Sequence, residues 1–166
     1  MPGLIARLWH GLTAALRPPR HWVVVDGSNV LYWQRRGPDL GSVAAVVAGV
    51  TARGLAPLVW FDANVGARLG DASLGTAGLA ARLGLPADRI ALAPRGTPAD
   101  PLLLAQARDL GARVVSNDQF RQWQKLHPEI RDPGRLVRGR IDREAPAGQG
   151  LWLDLPQRPR RLVPPR

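Results

Sequence analysis

The chain has 166 residues, 45% hydrophobic and 22% charged, enough for one domain with a sizeable core and too apolar for a wholly disordered polypeptide. Lys and Arg total 23 against 13 Asp and Glu, and the net charge of +10 rests almost wholly on arginine, since Lys125 is the only lysine. That excess points to a polyanion, nucleic acid first and an anionic membrane surface second, while the lack of cysteine excludes disulfides, thiolate zinc sites and cysteine nucleophiles.

Residues 1–20 carry Leu4, Ile5, Leu8, Trp9, Leu12 and Leu16 at helical spacing with Arg7, Arg17 and Arg20 and no acid. The spacing predicts a helix packed on the domain, with an interfacial anchor or a targeting segment as alternatives. No apolar run reaches the length that crosses a bilayer, and the expected location is the cytoplasm. Residues 21–26 read as a buried strand, with Val23 to Val25 between Trp22 and the turn-forming Asp26-Gly27. A loop with Arg35, Arg36 and Pro38 leads to a helix over 40–53 that Gly54 stops, and 57–62 is a second apolar strand. Ala77 to Leu83, followed by Gly84 and Pro86, predicts another helix, and 89–93 a weak strand.

The loop Arg95-Gly96-Thr97-Pro98 precedes a helix over 101–110, a strand over 113–116 and a helix from 118 to 126. Residues 135–142 and 150–155 look like two strands pairing as a peripheral hairpin. Four arginines among the prolines of 157–166 make a basic tail that is expected to be disordered. Strands alternating with helices predict a three-layer α/β/α fold with a central, mainly parallel sheet, in a domain spanning 21–156.

Acids end three of the strands: Asp26, Asp62 and Asp118, with Asp100 opening the apolar segment before the last. In an open parallel sheet such ends share the edge where ligands bind. Carboxylates gathered without Lys or Arg repel one another, and a hard divalent cation relieves that repulsion. Each acid also has a plain structural reading. Asp26-Gly27 suits a turn, Asp62 ends a strand where loops are polar, and Asp100 before Pro101 is a natural N-cap. Ser116 and Gln119 fit a capping box, with Asp118 in the first helical turn. His10, His21 and His127 are scattered and form no HExxH pattern, so a zinc hydrolase is not expected.

Val24-Val25-Asp26-Gly27-Ser28-Asn29-Val30, Asp100, and Val114-Val115-Ser116-Asn117-Asp118 followed by Phe120-Arg121 together resemble the PIN-like NYN ribonucleases, especially the regnase-like branch. The resemblance spans about residues 22 to 142. It implies a metal-dependent RNA-cleaving domain in which Asp26, Asp100 and Asp118 bind Mg²⁺ or Mn²⁺, with Asn29 and Asn117 as polar neighbours. That branch has two adjacent acids where this chain has Ala99-Asp100, and Asp62 is the candidate replacement.

The expected reaction is hydrolysis of a phosphodiester within an RNA strand by metal-activated water, with Ser28 and Asn29 orienting water or phosphate. Arg35, Arg36, Arg95, Arg121 and Lys125 would follow the backbone of a single-stranded RNA, and Trp33 or Trp123, where exposed, would stack on a base. Two rivals differ in class: an RNA-binding module without catalysis, and a phosphatase using a strand-end Asp as nucleophile. The second normally wants an acid two residues on, where this chain has Ser28.

Overall fold

Val23, Val24 and Val25 are all fully buried, and a β-branched run inaccessible on both sides belongs in the middle of a sheet covered on both faces. The computed structural model of the chain describes residues 21–34, 36–146 and 149–155. The N-terminal amphipathic segment, Arg35 and the basic tail lie outside the described residues.

In chain order the elements are β1 (Trp22–Asp26), α1 (Gly27–Val30), α2 (Leu40–Ala52), β2 (Ala56–Phe61), α3 (Val65–Arg68), α4 (Thr76–Leu83) and β3 (Ile90–Leu92). They continue with α5 (Ala99–Asp109), β4 (Arg113–Val115), β5 (Leu136–Val137), β6 (Gly139–Ile141) and β7 (Leu151–Leu153). The first five strands form one parallel sheet in the order β3-β2-β1-β4-β5, with Val24 opposite Leu58 on one side and Val114 on the other. The strands that follow β1 in sequence lie on both sides of it, so the switch point of the topology falls between β1 and β4.

Side chains alternate across this sheet with the strand period of two. Val23 and Val25 pack with Val43, Val46 and Val50 of α2 and Leu79 and Leu83 of α4. Val24 points the other way, to Leu103, Leu104 and Ala107 of α5 and to Phe120 and Ile130. The result is the expected α/β/α sandwich, with all five strand C-termini on one edge. No helix among the described residues is long and apolar enough to cross a membrane.

Two expected elements differ. The helix over 118–126 is absent: Asp118 Oδ1 accepts from Phe120 N at 2.8 Å, and Phe120 takes a left-handed backbone (φ 48°) that carries its ring into the core. A side chain that bonds backbone two residues on competes with helix formation, and only a 3₁₀ turn, Arg121–Trp123, follows. The segment 135–142 is not one hairpin strand either. β5 extends the parallel sheet beside β4, whereas β6 pairs antiparallel with β7. The break falls at Arg138-Gly139, where a Cβ on Gly139 would run into the Trp33 ring and lie 2.7 Å from Leu153 Cδ2.

Candidate active site

Asp26 ends β1 and caps α1. Its Oδ1 accepts from Asn29 N at 3.1 Å and its Oδ2 from the Ser116 hydroxyl at 2.7 Å. Ser116, fully buried just past β4, also accepts from Asp118 N at 3.1 Å. One hydroxyl thus ties the carboxylate at the end of β1 to the loop at the end of β4. Gly27 lets this happen through size, because a Cβ there would meet the Phe61 ring at 2.5 Å. Its backbone is not left-handed, so Gly27 is required for close packing, while Asp26 makes the local backbone bond that the Asp-Gly pair suggested.

Asp62 follows β2, with its N–H donating to Ser28 Oγ at 2.9 Å. Its Oδ1 accepts from Ala99 N at 3.2 Å, so the first orphan N–H of α5 is satisfied from a neighbouring strand end. The expectation that Asp100 caps this helix is corrected. The N-cap position belongs to Pro98, which offers no side-chain acceptor, and Asp100 lies inside the first turn. There the Trp123 indole N–H donates to Asp100 Oδ2 at 3.3 Å. Ser116 likewise is no N-cap, for want of a helix behind it.

The four acids sense one another. Burial pushes the Asp26 carboxyl up to about 7, against the lowering effect of the Ser116 and Asn29 bonds, and the charges of Asp100 and Asp118 push it further. Asp100 is raised by burial too, opposed by the Trp123 bond and reinforced by Asp118 and Asp62. Among the described residues no Lys or Arg forms an ion pair or hydrogen bond with any of these four side chains.

The polar neighbours are used inside the protein. Asn29 Oδ1 accepts from Trp33 Nε1 at 2.8 Å and from Asn117 N at 3.1 Å, leaving its Nδ2 without a partner among the described residues. The Asn117 amide donates to Gly139 O at 2.8 Å and accepts from Gly139 N at 3.1 Å, an engagement that occupies the side chain expected to meet substrate. Trp33 and Trp123, the expected stacking rings, are half-buried and use their N–H groups on Asn29 and Asp100.

Arg36, Arg95, Arg121 and Lys125 are exposed, and Arg95 follows β3 on the shared edge. Arg121 Nε donates to Gln119 Oε1 at 2.7 Å beside an open cavity of about 550 Å³ lined by residues 117–122, Asp118 among them. Sequence reasoning missed Arg138, whose guanidinium donates to Asn117 O at 2.8 Å, and Ser116 as the link between two acids. The run Ser116-Asn117-Asp118 was the available signal for the latter.

A divalent cation suits this donor set. All the oxygens are hard, none is neutralised by a described cation, and burial, reinforced by mutual repulsion, raises two of the carboxyls. Among the described residues no three acidic or imidazole groups close tightly enough to grip an ion unaided. Mg²⁺ tolerates that, since it keeps several waters and is held by one or two carboxylates together with substrate phosphate.

No family model matches the chain, and no curated protein matches it. Among solved structures, nuclear proteinaceous RNase P 2 (PRORP2) from Arabidopsis thaliana superposes with a TM-score of 0.62 at 18% identity, covering 82% of this chain and 30% of that one. A second structure of the same Arabidopsis thaliana protein, described as nuclear protein-only RNase P 2, gives 0.63 at 17% identity over 94% and 33%. The chain has a PIN-like fold. It spans about a third of the length of the proteins it matches.

Proposed function

We propose that this domain is a ribonuclease that hydrolyses phosphodiester bonds within RNA, using water activated at a divalent-cation site formed by Asp26, Asp62, Asp100 and Asp118. The observation that carries the reading is the convergence on one sheet edge of four carboxylates from separate elements, none paired with a cation among the described residues. The PIN-like fold and the RNA-processing enzyme among its structural neighbours support it. The residue motifs favour the regnase-like branch, with single-stranded RNA as substrate and a cytoplasmic setting.

Bound at the acids, Mg²⁺ or Mn²⁺ would offset phosphate charge and make water a better nucleophile at neutral pH. The chain's own residues do the rest. Asn29 N and Ser116 Oγ fix both oxygens of Asp26, so the carboxylate cannot rotate away from the edge. Ser28 holds the backbone of Asp62, and Trp123 holds Asp100. Asp62 bonds Ala99 N, which sets its carboxylate beside the position where the second acid is missing. Asn29 Nδ2, without a partner among the described residues, is a donor for water or a phosphate oxygen.

End-labelled single-stranded RNA incubated with Mg²⁺ or Mn²⁺ is expected to yield internal fragments, none in EDTA, and none with Asp26→Asn. Retention of RNA without cleavage in either metal would instead support the binding module, the reading that Ala99 favours. Release of phosphate from small phosphoesters would favour the phosphatase.

A further inference from the structure

We propose that Tyr32 and Arg68 form a subsite for an unpaired nucleotide beside the four acids, the base stacking on the tyrosine ring and a phosphate meeting the guanidinium. The inference rests on the RNA-cleaving reading above and deepens it. Tyr32 is 39% exposed, and Arg68 Nη1 donates to its hydroxyl at 3.1 Å.

Both residues sit on segments that leave the acids directly. Tyr32 N donates to Asn29 O at 3.2 Å, one turn beyond the residue whose N–H is capped by Asp26. Val65 N donates to Asp62 O at 3.1 Å, and Arg68 closes the four-residue helix that starts there, about 4.5 Å further along its axis. The phenol–guanidinium bond therefore bridges the chains emerging from β1 and β2, immediately outside Asp26 and Asp62.

Other arginines meet aromatic rings differently. The Arg89 guanidinium lies 4.3 Å from the Trp22 ring centre and that of Arg140 lies 5.0 Å from Trp152, so each covers a ring face. Arg68 instead holds Tyr32 by the hydroxyl at its rim, and no described cation covers its faces. A partly exposed ring pinned at its rim is a stacking platform that loses little further freedom when a base arrives. The remaining Arg68 donors have no partner among the described residues, and phosphate suits them. Bases inside a duplex are already stacked on their neighbours, so this pair selects an unpaired nucleotide next to the cleaved linkage.

The test is fluorescence anisotropy in EDTA with a labelled unstructured RNA oligonucleotide and with the same strand in a blunt duplex, followed by cleavage kinetics in Mg²⁺. Tyr32→Ala is expected to weaken single-strand binding about 5- to 100-fold, to leave duplex binding unchanged, and to raise KM more than it lowers kcat. Tyr32→Phe keeps the ring and retains most of the binding, and Arg68→Ala loses affinity where Arg89→Ala, at the opposite edge of the sheet, does not. Wild-type affinity in Tyr32→Ala, or equal losses for strand and duplex, overturns the subsite while leaving the ribonuclease reading intact. A wild-type protein that neither binds nor cleaves the RNA overturns both.

Discussion

Asp26 concentrates the physics of the site. The residue is 5% exposed and its carboxyl accepts two hydrogen bonds from the described residues, too few to offset the loss of water, so its pKa rises to about 7 from an ordinary value of 3.8. Between those values the folded chain holds a proton that the unfolded chain has released. Stability therefore falls as pH climbs through that window and is lowest above it, by an amount on the order of 4 kcal/mol. Asn at this position carries no charge at any pH. Melts in EDTA from about pH 5 to about pH 8 are expected to show the wild-type Tm dropping relative to Asp26→Asn, with the variant more stable at the alkaline end although inactive. Parallel curves would show that Asp26 is solvated and that the burial argument fails. The position of this acid was legible in the sequence, because a Val run ending in Asp is read from the chain alone. Its environment was not, since Ser116 and Phe61 approach from distant segments.

The elements themselves divide in the same way. Strand and helix cores written into local pattern were readable: the β-branched runs of β1 and β4, and the Gly54 and Gly84 stops after α2 and α4, both left-handed as a stop requires. What local pattern hid were elements decided by partners elsewhere. The start of α5 is set by Asp62 from another strand, the 118–126 helix loses to an Asp118 side-chain turn, and the 135–142 segment is divided between two sheets. The last of these depends on Asn117, whose amide bonds both backbone groups of Gly139 while its own backbone meets Asn29 and Arg138. Asn117→Ala leaves the buried Gly139 N–H and C=O unpaired, which costs about 1–3 kcal/mol. Urea unfolding is the measurement, and the midpoint should fall with the slope unchanged. Cleavage should weaken with it, because Asn29 loses its bracing from the Asn117 loop. An unchanged midpoint would mean that the hairpin is held by Trp33 and β7 alone.

At the scale of the whole molecule, a parallel sheet sets direction: the acids gather at one end of the strands. The net charge of +10 is a property of the entire chain, but only arginines near the acid-bearing edge can meet a strand positioned for cleavage. Arg95 follows β3 and Arg121 follows the Asp118 turn, both exposed on that edge, whereas Arg113 opens β4 at the opposite end. Each phosphate neutralised on single-stranded nucleic acid releases counterion and contributes about −0.7 to the slope of log affinity against log salt. Arg95→Ala and Arg121→Ala are each expected to make that slope shallower by about 0.7, additively when combined, while Arg113→Ala leaves it unchanged. Affinity measured in EDTA across a salt series separates this from catalysis. A uniform decrease for all three variants would mean that RNA sees the protein as a diffuse positive sphere. A decrease confined to the edge variants would mean that the same topology that gathers the carboxylates also aligns the strand they act on.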